Sequence, residues 1–251
     1  MRNLAVTSFA AFAALMATQA QAVTITAYSS NFDAAATVAA GVIASLSGAA
    51  VQSVQGYSGL GNGGNVFGGN FLSSFNAGST ATLTLGSLPT HSSINITGLL
   101  GVLDSWDSSD GGCCSPDFFR IYVDGTPIFS DTYNTALGSV NNSAVLTDIG
   151  GGKVQRGFGG GWNDQAFDLE NELQNIVHTA STLTIELRGE GAGWQGGDDE
   201  GWGIDNLLVQ LNGVTVVTPP TGDVPEPMTL SLFGAGLGSL AWARRRSRTA
   251  K

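Results

Sequence analysis

Alternation of apolar and polar positions is the dominant signal in the middle of the chain. Residues 81–85 read Ala-Thr-Leu-Thr-Leu, and residues 182–188 read Thr-Leu-Thr-Ile-Glu-Leu-Arg. A two-residue period turns one face of a strand inward and leaves the other to solvent. By the same reading strands are expected over 23–28, 93–103, 118–123, 127–133 and 204–217, with turns rich in Gly, Asn, Asp and Ser between them. Short strands at this spacing predict an all-β fold, an antiparallel β-sandwich of the jelly-roll-like kind. Two stretches depart from the pattern. Residues 34–46 are rich in Ala and are expected as helix or loop, and residues 168–179 as a short helix.

Both ends carry continuous apolar runs instead. Residues 4–17 are apolar, preceded by Arg2 and followed by Ala20-Gln21-Ala22. A positive charge, a short apolar helix and a small-x-small triplet are the parts of a secretory signal peptide, so cleavage is expected after Ala22. The second run, residues 228–243, follows Val224-Pro225-Glu226-Pro227 and precedes Arg244-Arg245-Arg246-Ser247-Arg248. As a transmembrane helix it spans roughly 24 Å, a little short of the ~30 Å hydrocarbon core, a gap that snorkelling side chains close. Arginines after the run hold that end in the cytoplasm. The expected plan is a signal helix at 1–22, a sandwich at 23–217, a Pro- and Gly-containing linker at 218–223 and a membrane tail at 224–251.

The tail resembles the PEP-CTERM sorting signal of Gram-negative bacteria in its Val224-Pro225-Glu226-Pro227 box, single apolar helix and Arg244-Arg245-Arg246 cluster. The resemblance implies recognition by an exosortase in the inner membrane and a cut near the box. Transient anchoring and delivery to the cell surface or extracellular matrix would follow, in an exopolysaccharide and biofilm setting. Three stretches of the body, 88–107, 116–125 and 199–206, are similar to a domain common among such exported proteins. That likeness identifies a sandwich module and no chemistry. Where relatives often show Trp-Asp-Gly, this chain has Trp106-Asp107-Ser108.

Charge narrows the partners. Residues 23–223 hold four basic and nineteen acidic residues, a net charge of −15. Such a surface repels phosphate backbones, so no nucleic acid is expected, and divalent cations are the natural counter-ions. The acids gather in two regions, Asp104, Asp107, Asp110 and Asp117 in one, Asp199, Glu200 and Asp205 in the other. Hard cations take six to eight oxygen ligands, so two such loops at one sandwich edge would hold calcium. The spacing of Asp104, Asp107 and Asp110 is three by three, which is not the pattern of an EF-hand loop. The competing reading is a solvated rim with Asp residues capping turns.

Catalytic patterns are weak. His91 and His178 sit in no recognisable nucleophile–base arrangement. Gly59-Leu60-Gly61-Asn62-Gly63-Gly64 fits G-x-G-x-x-G without a preceding βαβ context and reads as a flexible turn. Cys113 and Cys114 are adjacent, leaving a vicinal disulfide, an interchain bond and reduced thiols all open. Trp106 and Trp202, each beside Gly or an acid, are candidates to stack on sugar rings, although such residues more often plug a sandwich core. The expectation is therefore a non-catalytic surface or matrix protein that binds polysaccharide. The alternative is a secreted glycan hydrolase, whose carboxylate pair is defined in space and not in sequence.

Overall fold

A computed structural model describes residues 20–108, 114–136 and 145–217. In chain order it has β1 (Ala20–Ser30), β2 (Thr37–Val38), β3 (Ile43–Ser47) and β4 (Ala50–Ser53), then a short helical turn at Gln55–Tyr57. The small hairpin β5 (Gly61–Asn62) and β6 (Asn65–Val66) precedes β7 (Asn70–Ser73), β8 (Thr80–Gly86) and β9 (Ser93–Asp104). The last strands are β10 (Asp117–Val123), β11 (Thr126–Asp131), β12 (Thr147–Asp148), β13 (Gln165–Asp168), β14 (Ile176–Val177), β15 (Leu183–Gly191) and β16 (Glu200–Val217). The all-β expectation is met, and every predicted strand is present.

Two antiparallel sheets carry the body, Ala22–Thr215. One runs β12-β13-β9-β16-β1-β2, with β14 on β9 and with β7 and β4 joined through β16. The other runs β11-β10-β15-β8-β3. The inward side chains of the second sheet are the alternating ones: Leu83 and Leu85 on β8, Phe119 and Ile121 on β10, Ile185 and Leu187 on β15. They meet Ile96, Leu100 and Val102 of β9 and Ile204, Val209 and Leu211 of β16 in one core cluster. Burying each such side chain contributes about 1.5–3 kcal/mol, the main force that joins the sheets.

The first sheet is covered on its other face as well. Leu99 and Leu103 of β9 point away from the main core, into a second cluster with Tyr57, Phe67, Phe71, Phe75 and Phe158. Tyr57 anchors this layer, its hydroxyl donating to the Val102 and Gln165 carbonyls at 2.8 and 3.0 Å. Burial on both faces is why residues 99–104 are buried without a break.

Two expectations are corrected. Residues 34–46 form no helix: they hold β2 and run into β3, where Ala44 and Leu46 lean on the core and Ile43 is exposed. Small alternating residues on an outer strand carry too little hydrophobic contrast to register as a strand. Residues 168–179 are turns and the short β14, because Ile176 and Val177 pair with Ile94 and Ser93. The Cys pair is half visible: Cys114 is exposed, and Cys113 lies outside the described residues.

The expected signal helix and transmembrane helix also lie outside the described residues, and among those described no helix is long and apolar enough to cross a membrane. A second unit, Met1–Gln21 with Val216–Lys251, is described only at the strand ends Ala20–Gln21 and Val216–Val217.

Candidate ligand cleft and acidic cluster

Strand pairing decides which of the seven predicted acids meet. Glu200 opens β16 and pairs with Asp104 at the end of β9, while Asp117 opens β10. Asp107 follows β9 by three residues, and one oxygen each of Asp107, Asp117 and Glu200 lies within 4.8 Å of the others. Asp199 flanks this group, its Oδ1 accepting the Ser105 hydroxyl at 2.7 Å. Burial, then the Asp199 charge, raises Asp107. Burial lifts Asp117 to about 6 and Glu200 to about 7, each opposed by backbone N–H groups and pushed further by neighbouring acids.

Asp104 turns to a different partner. Its carboxyl sits beside Gly159, where φ is 63° and any side chain would run into it. Burial and then repulsion from Asp164 raise it to about 6. Asp164 itself was not among the expected residues. Fully buried, it accepts the N–H of Asp104 at 3.0 Å and of Arg156 at 2.5 Å, organising the 156–164 loop. An isolated Asn163-Asp164 in a Gly-rich stretch gives no sequence cue for that role. Asp205 is a correction to the calcium set: it sits in the middle of β16 and accepts Gly68 N–H and Asn206 N–H, both at 2.7 Å. Asp110 lies outside the described residues.

Trp106 and Trp202 are corrected too. Both are fully buried. The Trp106 indole donates to the Gly201 carbonyl at 2.7 Å and meets Trp194 edge-on at 5.1 Å. Trp202 donates to the Ser79 carbonyl at 3.1 Å and packs on Phe119. Neither ring has a face left for a sugar. Trp162, 41% exposed, is the open indole among the described residues.

An open cleft of about 560 Å³ lies elsewhere, between the end of β1, the β5–β6 turn, β9, β16 and the turn after β13. Thr97 of β9 and Leu208 of β16, directly paired, are among its lining residues. The register of β16 shifts between Asp205 and Leu208, a bulge that re-aims Asn206. Asn206 donates to Asn65 Oδ1 at 2.9 Å and to the Val66 carbonyl at 2.8 Å, holding the hairpin against the strand. The turn between β5 and β6 uses Gly63 and Gly64, both at positive φ, so the glycine-rich motif is a hairpin tip on the cleft wall. Asn31, Asn62, Asn65 and Asn206 supply carboxamides, Asp168 and Glu170 carboxylates, and no basic side chain contributes.

Residues 223–247 match the PEP-CTERM protein-sorting motif. The chain carries a PEP-CTERM sorting signal. The signal marks an exported, exosortase-targeted protein with a membrane-associated sorting tail, in agreement with the Val224-Pro225-Glu226-Pro227 box and the Arg244-Arg245-Arg246 cluster. Those sorting residues lie outside the described residues. No curated protein matches this chain. Among solved structures it is similar to infectious bursal disease virus Gx strain at 14% identity and a TM-score of 0.24, over 86% of this chain and 37% of that one. The Gt strain of the same virus gives 16% identity and a TM-score of 0.23, over 74% and 35%. The chain thus spans just over a third of the length of either viral chain.

Proposed function

We propose that the body is a non-catalytic polysaccharide-binding module, released by the exosortase route to the cell surface or a biofilm matrix. The open polar cleft carries this reading. Ligand clefts are usually apolar with a few polar anchors, and this one is lined mainly by amides, hydroxyls and two carboxylates. Such a lining offers many hydrogen-bond partners beside a comparable extent of carbon surface, which suits a sugar ring with its hydroxyls and C–H faces. With no cation in the wall and a strongly acidic body, neutral glycans fit better than uronates or sulfated chains.

Asp168 and Glu170 in the wall are the observation that favours the rival, glycan hydrolysis. Against it, Asp168 Oδ1 already accepts the Glu170 N–H at 2.8 Å, which shapes the turn. The test is retention of the purified protein on immobilised cellohexaose, maltohexaose, mannohexaose and alginate, with reducing ends assayed in the same samples. Retention without new reducing ends is the expected result. Release of reducing ends would favour the hydrolase, and preference for alginate would overturn the neutral-glycan reading.

A further inference from the structure

Asp107, Asp117 and Glu200 reach one point from three separate segments, the stretch after β9, the start of β10 and the start of β16. Asp117 and Glu200 are completely buried. In each, one oxygen is fixed by the backbone: Asp117 Oδ2 accepts the Asp107 N–H at 2.6 Å, and Glu200 Oε2 accepts the Gln195 N–H at 2.5 Å and the Gly196 N–H at 3.4 Å. The other oxygens, Asp117 Oδ1 and Glu200 Oε1, are buried and receive no N–H or hydroxyl donor; the two carboxyls lie within hydrogen-bond reach of each other alone. None of the ion pairs among the described residues involves them.

Buried carboxylates without a counter-charge are among the costliest arrangements in a protein. Two occupants remove the cost, a proton held between the two acids or a cation among all three. A shared proton serves two carboxyls and leaves the third, Asp107, with no part in it. A cation uses all three. We infer that Asp107, Asp117 and Glu200 bind a divalent cation, with calcium as the resident ion. The donor set is all oxygen, without the His or Cys ligands zinc favours. Oxygens within 4.8 Å of one another fit on a sphere of calcium–oxygen radius about 2.3–2.6 Å. Magnesium holds its waters too firmly to favour a buried all-protein set, whereas calcium accepts an irregular shell completed by carbonyls and water. Calcium here reinforces three chain segments that backbone bonds already bring side by side, Glu200 opposite Asp104 and the Asp117 N–H on the Asp107 carbonyl.

Terbium provides the probe, because it occupies calcium sites and is excited by nearby indoles, and Trp106 is the neighbour of Asp107 in the chain. Titration of the full chain is expected to give saturable terbium emission that calcium displaces. Calcium at a hundredfold excess over its Kd is expected to raise the melting temperature over that in chelator by about 5–10 °C. The double variant Asp117→Asn with Glu200→Gln should lose both responses while melting in chelator at or above the wild-type temperature, since neutral amides hydrogen-bond where two charges repel. Asp205→Asn should keep both responses. Unchanged wild-type melting in calcium and chelator would leave a proton-bridged acid pair and overturn the site. So would terbium emission that survives the double substitution.

Discussion

His91 Nε2 lies 2.7 Å from His178 Nδ1, and the two buried rings stack with centroids 5.0 Å apart. Their far nitrogens face acceptors only. His91 Nδ1 is 2.7 Å from the Pro89 carbonyl, and His178 Nε2 is 3.1 Å from both Asp124 Oδ2 and the Thr182 carbonyl. The pair bolts the turn before β9, the segment after β14 and the β10–β11 turn together.

Removing one ring breaks that bolt. His178→Ala leaves His91 Nε2 buried without a partner and is expected to cost about 1–3 kcal/mol in urea unfolding. Asp124→Asn should cost less, because the Asp124 side chain is 44% exposed and solvent replaces its contact. Equal losses would show that the histidines merely fill space. Nitrogen NMR should also detect a coupling across the His91 Nε2–His178 Nδ1 contact.

Trp106 is a structural residue, and its substitution separates folding from binding. Trp106→Phe removes the hydrogen bond to Gly201 and the edge contact with Trp194, at an expected cost of about 2–4 kcal/mol. Oligosaccharide retention below the new melting temperature should stay within about twofold of wild type. A large loss of retention from the folded variant would return this indole to the binding site.

Asp205 sets a pH dependence with an unusual sign. Burial lifts it to about 6, held back by the Gly68 and Asn206 N–H groups and pushed up by Asp33. The native carboxyl therefore keeps its proton through a range, about 4 to 6, in which the unfolded one has lost it. Stability from this group is highest below that range and falls as pH rises through it. Between about pH 4.5 and 6.5 the wild type should lose roughly 1–3 kcal/mol more than Asp205→Asn, measured by urea unfolding in chelator. Parallel profiles for the two proteins would contradict this.

Export predicts a mature N-terminus at Val23, read by terminal sequencing of the protein recovered from cells. Ala20, Gln21 and Ala22 open β1 as exposed residues, so among the described residues a cut after Ala22 removes no buried side chain. Recovery of the chain beginning at Met1 would refute the signal peptide.

How much was legible follows from where the information lies. β8, β10 and β15 alternate cleanly in both sequence and burial, because one face of each meets solvent. β3, β4 and β7 are short, and their pairing depends on β8 and β16 rather than on their own composition. The acids were legible as a class and not as a set. Asp107 and Glu200 converge only because β9 and β16 are antiparallel partners with Asp104 opposite Glu200. The tryptophans misled for a similar reason, since only the assembled sheets decide whether an indole beside an acid faces water. The sorting tail was readable from its own residues because its recognition depends on local order alone.

The outer strands of the two sheets bear on what happens when exported copies crowd together. One main ladder ends on β2 and β12, two residues each, and the other on β11, which carries Pro127. Brief or proline-bearing edges give a second chain little backbone to zip onto, and that restrains fibre growth where no chaperone patrols. β3 is the exception at the ends of these ladders, five residues long with Ile43 69% exposed. β3 is therefore where aggregation of this protein is expected to begin.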